Sequence, residues 1–255
     1  MRRASPNRAS LNRASFALAA LTLACIALFT ASPGLDPATS ALFYRPATGF
    51  WLIGYPSLET LRNVFWSAAD LLGLAGLIAF LAARTLPAPQ VPPRLWGFVF
   101  AVMALGPGVL VNVVVKPIWG RARPADTTLF GGAHTYSRAF ALSDQCHFGC
   151  SFVSGESASA VAMSLILGML FWHGRGRTTH AALIITLTLA ALVASALRVM
   201  TGRHFLSDIT FGGLLAAATF LALFHWMRIA DTLPALTTTA IRADLTALAR
   251  PLTRR

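Results

Sequence analysis

Arg198, His204 and Asp208 lie between two apolar runs, and their types and spacing could support nucleophilic chemistry. His204 follows Arg198 by six positions and precedes Asp208 by four. If His204 opens a helix, Asp208 lies one turn further along the same face. Its carboxylate could then hold one ring nitrogen while the other attacks, and Arg198 would bind the charge of the group attacked. The structural alternative is a membrane-edge Arg and His, with Asp208 as a helix N-cap.

The composition predicts which elements must position these residues. The chain has 255 residues, of which 56% are hydrophobic and 12% are charged, whereas a soluble domain carries about a quarter charged residues. The apolar residues occur in long blocks and do not alternate with polar ones. This pattern predicts an all-α polytopic membrane protein. Three cysteines are too few for a disulfide framework.

The apolar blocks predict six transmembrane helices in one bundle. The blocks cover residues 15–31, 64–83, 95–115, 151–172, 180–199 and 209–227. The predicted organisation is a cytoplasmic basic N-terminus at 1–14, a six-span domain at 15–228 with the candidate site residues within 116–208, and a cytoplasmic tail at 229–255. The first block resembles a signal peptide, but the five blocks after it favour an uncleaved helix.

The distribution of basic residues predicts the orientation of the spans. The net charge is +12, and 13 of the 21 basic residues lie in the loops on the side of both termini. The positive-inside rule places those loops in the cytoplasm and the protein in the cell inner (plasma) membrane. The candidate site then lies at the periplasmic, outer face. Scattered basic residues at loop ends favour anionic lipid and not nucleic acid as the partner.

Cations and a helix start at this face predict a phosphate site. The candidate phosphate-binding residues are Lys116, Arg123, Ser154, Gly155 and Arg198. Arg forks bind phosphate oxygens in pairs, Lys adds a point charge, and a helix start offers backbone N–H groups. His204, oriented by Asp208, could accept the phosphoryl group and form a phosphohistidine that water hydrolyses. This chemistry needs no cofactor and no metal, and no compact set of metal ligands is visible in the sequence.

These residues resemble the motifs of the type 2 phosphatidic acid phosphatase (PAP2) family. The motifs are Lys116-x6-Arg123-Pro124, then Ser154-Gly155, then Arg198-x5-His204-x3-Asp208. The resemblance implies a metal-independent phosphatase that acts on a lipid phosphate or pyrophosphate at the outer face. It also implies that the Lys, the two Arg, Ser154 and Gly155 hold phosphate, and that His204 is the nucleophile with Asp208 as its partner.

The middle motif departs from the family pattern at the position of the general acid. The family usually has Pro-Ser-Gly-His, in which the His protonates the leaving oxygen, whereas this chain has Val-Ser-Gly-Glu ending at Glu156. Glu156 is therefore the candidate acid, and the acid role would matter most for poor leaving groups. The alternatives are a structural or specificity role for Glu156, or a His from the loop, His134 or His147. The Ser-Gly-Glu variant resembles lipid A phosphatase-like branches.

The sequence leaves several functional questions open. Candidate substrates are lipid A, undecaprenyl pyrophosphate and a glycerophospholipid phosphate. A lipid phosphotransferase and a non-catalytic component that binds or transports anionic lipid are the alternative functions. Cys146 and Cys150 could form a disulfide in an outer loop or remain free thiols. Arg121 and Arg203 flank motif residues and could contact either substrate or lipid headgroups.

Overall fold

The computed structural model describes residues 8–147, 149–172 and 177–249. Parts of the predicted basic N-terminus, of the basic turn after the fourth span and of the C-terminal tail lie outside these residues. The described residues form helices and one small hairpin, with the bounds α1 (Arg8–Ala31), α2 (Leu35–Ala41), β1 (Tyr44–Arg45), β2 (Gly49–Phe50), α3 (Pro56–Thr85), α4 (Pro93–Met103), α5 (Lys116–Trp119), α6 (Gly155–Phe171), α7 (Arg177–Met200), α8 (Leu206–Trp226) and α9 (Thr238–Ala249).

The helices confirm the all-α polytopic fold predicted from the apolar blocks. In the described part of the chain, five helices are long and apolar enough to cross a membrane. The third of these continues from α4 through a π-helical stretch, Ala104–Val115, into α5. The remaining block forms α6, which has 17 residues and is about 25 Å long at 1.5 Å per residue. All six predicted blocks are therefore helical.

Helix α6 is the centre of the bundle. It contacts α7, α8 and the π-helical stretch, and its first turns bury small residues such as Ser157, Ala158 and Ala162. Small side chains allow helix backbones to approach closely where lipid supplies no hydrophobic drive between helices. Helix α1 lies at the periphery and packs against α8. The start of α6 is therefore held at a fixed position between its neighbours.

The segment between α1 and α3, which joins the first two predicted spans, contains regular structure. It contains helix α2 and an antiparallel hairpin in which Tyr44 pairs with Phe50. Phe50 packs against Phe130 and is buried together with Phe205, which precedes α8. This segment therefore covers the turn that carries His204.

The described part of the tail packs against the bundle. In α9, the Asp244 carboxylate accepts hydrogen bonds from the backbone N–H groups of Gln90 (2.8 Å) and Val91 (2.9 Å) just before α4. These contacts satisfy two backbone donors in the connection that precedes α4. They tie the tail to the connection between α3 and α4.

Candidate active site

A cavity of about 280 Å³ lies where the ends of several helices meet. Its lining includes six of the eight candidate site residues, namely Lys116, Arg123, Gly155, Glu156, Arg198 and His204. They come from α5 and the segment after it, from the start of α6, from the end of α7 and from the turn before α8. The cations and the helix start that the sequence predicts at one membrane face thus lie around one cavity.

The end of α7 explains the spacing between Arg198 and His204. Gly202 adopts a left-handed conformation (φ +62°), and its N–H donates to the Val199 carbonyl at 3.0 Å. The N–H groups of Arg203 and His204 both donate to the Arg198 carbonyl, at 2.9 and 3.0 Å. This is a Schellman motif, which reverses the chain after a helix. It brings His204 back beside the last turn of α7.

The ring of His204 is buried and held by a backbone carbonyl. The side chain is 5% exposed, and Nδ1 lies 2.8 Å from the Ser151 carbonyl oxygen. A carbonyl only accepts, so Nδ1 carries the proton and Nε2 carries the lone pair. Burial lowers the pKa of His204 below its ordinary value, while the Asp208 carboxylate opposes that shift. The neutral ring is the nucleophilic form.

Asp208 supports His204 less directly than the sequence suggested. Its Oδ2 lies 3.6 Å from Nδ1 of His204, which is longer than a hydrogen bond. The same oxygen accepts from the Phe205 N–H at 2.7 Å and from the Ser151 hydroxyl. Asp208 therefore fixes the Ser151 segment, whose carbonyl in turn orients the ring. The predicted direct hydrogen bond is replaced by this two-step arrangement.

Arg121 organises the layer beneath the nucleophile. This residue is 0% exposed, and one terminal nitrogen of its guanidinium donates to Asp208 at 2.6 Å and to Ser207 at 2.9 Å. The other terminal nitrogen donates to Asp36 in α2 at 2.8 Å. Neither role predicted for Arg121, substrate contact or lipid headgroup contact, fits a buried guanidinium with these partners. Arg203, by contrast, lines the cavity.

Asp36 is a member of the site that sequence reasoning missed. It is 2% exposed, and its carboxylate accepts from the Ser207 N–H at 2.8 Å and from the Ser207 hydroxyl at 2.5 Å. It therefore satisfies a backbone donor in the first turn of α8 as well as pairing with Arg121. Asp36 is the carboxylate of the turn-rich segment between α1 and α3, and no spacing pattern links it to Arg121, which lies 85 positions later.

The segment after α5 positions Arg123. Gly120 has a positive φ (+55°) and ends α5; a Cβ there would lie 1.9 Å from the Ser143 carbonyl oxygen. The chain then extends to Arg123, whose guanidinium donates twice to the Gly149 carbonyl, at 2.7 and 3.0 Å. Gly149 lies between Cys146 and Cys150, which form a disulfide. The free-thiol alternative for these cysteines is thus not the one observed.

The two small residues at the start of α6 have different positions. The Ser154 hydroxyl accepts from the Ser157 N–H at 3.3 Å as the N-cap of α6, and Ser154 is absent from the cavity lining among the described residues. Its hydroxyl caps α6 in this structure, and its phosphate-binding role stays a prediction. Gly155 does line the cavity, and a Cβ there would lie 2.8 Å from the Asn112 side-chain oxygen.

Glu156 forms ion pairs with two guanidinium groups. Its carboxylate accepts from Arg62 in α3 at 2.8, 3.1 and 3.2 Å, and the Nε atom of Arg198 lies 3.1 Å from Oε2. In this arrangement the carboxylate oxygens act as hydrogen-bond acceptors. The ion pairs therefore do not favour the general-acid role predicted for Glu156. His134 and His147, the alternative acids, are exposed and outside the described cavity lining.

The cavity as a whole is suited to a multiply charged anion. Among the described lining residues are five cations (Arg62, Lys116, Arg123, Arg198 and Arg203) and two carboxylates (Glu59 and Glu156). Clustered cations in a partly enclosed site stabilise the charge that develops on a transferring phosphoryl group. A neutral imidazole at the base of such a cavity can attack phosphorus.

Comparison with known proteins identifies the family of the chain. Residues 94–231 match the model of the PAP2 superfamily. Proteins named lipid A 4'-phosphatase from Rhizobium etli and Rhizobium leguminosarum are each 31% identical to this chain over 215 residues, covering 78% of it and 81% and 89% of the relatives. A lipid A 4'-phosphatase from Francisella tularensis subsp. novicida is 31% identical over 190 residues, covering 73% of this chain and 83% of the relative. No solved structure matches. The chain belongs to the PAP2 superfamily, as its three motifs indicated.

Proposed function

We propose that this protein removes a phosphate monoester from a lipid A-type glycolipid through a phosphohistidine at His204, at the outer face of the inner membrane. Membership of the PAP2 superfamily and relatives named as phosphatases make the chain a membrane phosphatase acting on phosphoric monoesters, as the motifs predicted. The same names favour hydrolysis over the phosphotransferase and non-catalytic alternatives.

The strongest support for His204 as the proposed nucleophile is the position of its ring. His204 has Nδ1 occupied by the Ser151 carbonyl at 2.8 Å and lines the same cavity as Lys116, Arg123 and Arg198. The tautomer fixed by that hydrogen bond leaves the Nε2 lone pair available for attack. The three cations then bind the phosphate and the equatorial oxygens of the transition state.

The proposed reaction has two steps. In the first, Nε2 bonds to phosphorus as the bond from phosphorus to the lipid oxygen breaks, and a water in the cavity gives that oxygen a proton. In the second, water attacks phosphorus, the phosphorus–nitrogen bond breaks, and inorganic phosphate leaves. The proton lost by the attacking water neutralises the hydroxide left by the first step. Glu156 holds Arg62 and Arg198 in position and stays an anion.

Phosphate release from purified protein tests the proposed nucleophile. The full chain in detergent should release phosphate from a phosphorylated glycolipid, and the His204→Ala variant should lose this activity and form no acid-labile phosphoenzyme. His225→Ala is the matched control, because His225 lies exposed near the far end of α8. Full activity in the His204→Ala variant, or an acid-stable phosphoenzyme, would refute the phosphohistidine.

Labelling of an introduced cysteine tests the proposed orientation. Leu142 is 68% exposed in the loop between α5 and α6, so Leu142→Cys in a Cys25→Ser background offers a reactive thiol in the loop that connects two helix ends of the site. A membrane-impermeant maleimide should label it in spheroplasts without permeabilisation. Labelling that requires permeabilisation would place the site at the cytoplasmic face.

A further inference from the structure

We propose that Glu59, Arg62 and Trp66 form a subsite for the sugar ring that carries the phosphate; the proposal rests on the proposed function. Together these three residues form the α3 wall. They lie at positions i, i+3 and i+7 of helix α3 and so share one helix face. All three line the cavity that also contains His204.

The α3 wall lies outside the part of the chain that matches the PAP2 superfamily. That match begins at residue 94, whereas α3 ends at Thr85. The cations and the His of the three motifs all lie within the match. The phosphate site of the superfamily motifs thus faces a wall formed by α3, and α3 lies outside the region that matches the superfamily. Such a position suits recognition of the particular group that carries the phosphate.

An ion-pair chain sets the distance between the wall and the phosphate site. Arg62 contacts Glu59 at 3.5 Å and Glu156 at 2.8 Å, and Glu156 contacts Arg198 at 3.1 Å. These contacts link α3 through α6 to α7. A group bound on the wall is therefore adjacent to a phosphate bound at Arg198, with Glu156 between them.

The chemistry of the wall fits a sugar better than a glycerol ester. A pyranose has apolar C–H faces and hydroxyl groups around its edge, which match an aromatic ring flanked by a carboxylate acceptor and a guanidinium donor. Trp66 is 39% exposed in the described structure, so its ring is available to a ligand. The cavity of about 280 Å³ greatly exceeds the roughly 30 Å³ share of one water, which leaves room beyond a phosphoryl group.

Substrate comparison in matched variants tests the subsite. We expect Trp66→Ala and Glu59→Gln to lower kcat/KM on a phosphorylated glucosamine lipid by about tenfold or more, in the range seen for lost pocket contacts. Trp66→Ala should stay within about twofold of wild type on phosphatidic acid, which has no sugar ring. Trp66→Phe should restore most of the loss. Trp226→Ala is the control, since Trp226 is 79% exposed at the end of α8.

The outcomes separate the subsite from the proposed function. Equal losses on both lipids, or no loss on either, would refute the α3 wall as a sugar subsite while leaving the phosphatase intact. Calorimetric binding of a soluble phosphorylated glucosamine headgroup to the inactive His204→Ala protein gives a readout that does not need turnover. Weaker binding after adding Trp66→Ala, but not Trp226→Ala, supports the subsite; unchanged binding refutes it. Absence of phosphate release by wild type from every lipid would refute the proposed function alone.

Discussion

The carboxylate of Asp36 and the guanidinium of Arg121 lie 2.8 Å apart with almost no exposure to solvent. Arg121 also contacts Asp208 at 2.6 Å. Asp208 accepts a hydrogen bond from the Ser151 hydroxyl, and the backbone carbonyl of Ser151 orients the His204 ring. A residue in the short helix α2 is therefore connected to the nucleophile through two charged contacts. This connection makes Asp36 a positioning residue for the site.

Breaking this buried pair should cost both stability and activity. Asp36→Asn leaves a buried Arg121 with one fewer charge partner, and removing one partner of a buried pair costs about 3–5 kcal/mol. We expect a lower thermal unfolding midpoint in detergent and a lower kcat with little change in KM. Asp231→Asn is the control, because its ion pair with Arg228 is exposed and such pairs contribute at most about 1 kcal/mol. Equal effects of the two substitutions would contradict this account.

The acid limb of the pH profile should reflect the buried ring of His204. Burial lowers the pKa of His204, so the ring stays neutral down to a pH below the ordinary value of about 6.5. As the pH falls through this lowered pKa, the ring gains a proton and loses its lone pair, and kcat/KM should fall.

A comparison of two substrates separates the ring from the substrate in this profile. The second ionisation of a phosphate monoester lies near pH 6, so the profile is measured for two lipids whose phosphate groups ionise at different pH. An acid limb at the same pH for both lipids reports the ionisation of a group on the enzyme. A limb that moves with the substrate would show that the ring is not the group that titrates.

Glu156→Gln should lower kcat/KM by a similar factor on all substrates if Glu156 positions Arg62 and Arg198. The substitution removes the charge that both guanidinium groups contact, and a hydrogen bond to a charged group contributes about 1.5–3 kcal/mol. We expect a loss of about tenfold to 100-fold in kcat/KM on a lipid monoester and on a lipid pyrophosphate. A loss much greater for the monoester, the poorer leaving group, would restore the general-acid role. Glu156→Asp, which keeps the charge, should retain more activity than Glu156→Gln.

The sequence predicted the helices and the phosphate cluster because both follow from local patterns. Apolar blocks give the spans, and the spacing of Arg198 and His204 follows from a Schellman motif that a Gly at position 202 permits. The supporting contacts have no such signature. The acceptor for His204 is a backbone carbonyl, and Asp36 and Arg62 meet their partners only through tertiary packing. Glu156 lines the cavity, but its partner in α3 could not be inferred from spacing.

The disulfide between Cys146 and Cys150 should support phosphate binding through Arg123. The bridge closes a short ring that contains Gly149, whose carbonyl accepts both hydrogen bonds from the Arg123 guanidinium. Ser151, which orients His204, follows directly. Without the bridge, the Arg123 side chain becomes ordered only when phosphate binds. This ordering makes the binding free energy less favourable by about 0.5–1.5 kcal/mol for one side chain.

We therefore expect the Cys146→Ser, Cys150→Ser double variant to bind inorganic phosphate about two- to tenfold more weakly, measured as its inhibition constant. Reductant should weaken binding by wild type to the same extent and leave the double variant unchanged. Cys25→Ser is the control, since Cys25 lies in α1 and is a free thiol. Reductant sensitivity that persists in the double variant would mean that another group responds. Unchanged inhibition in both experiments would mean that the Gly149 carbonyl holds Arg123 without the bridge.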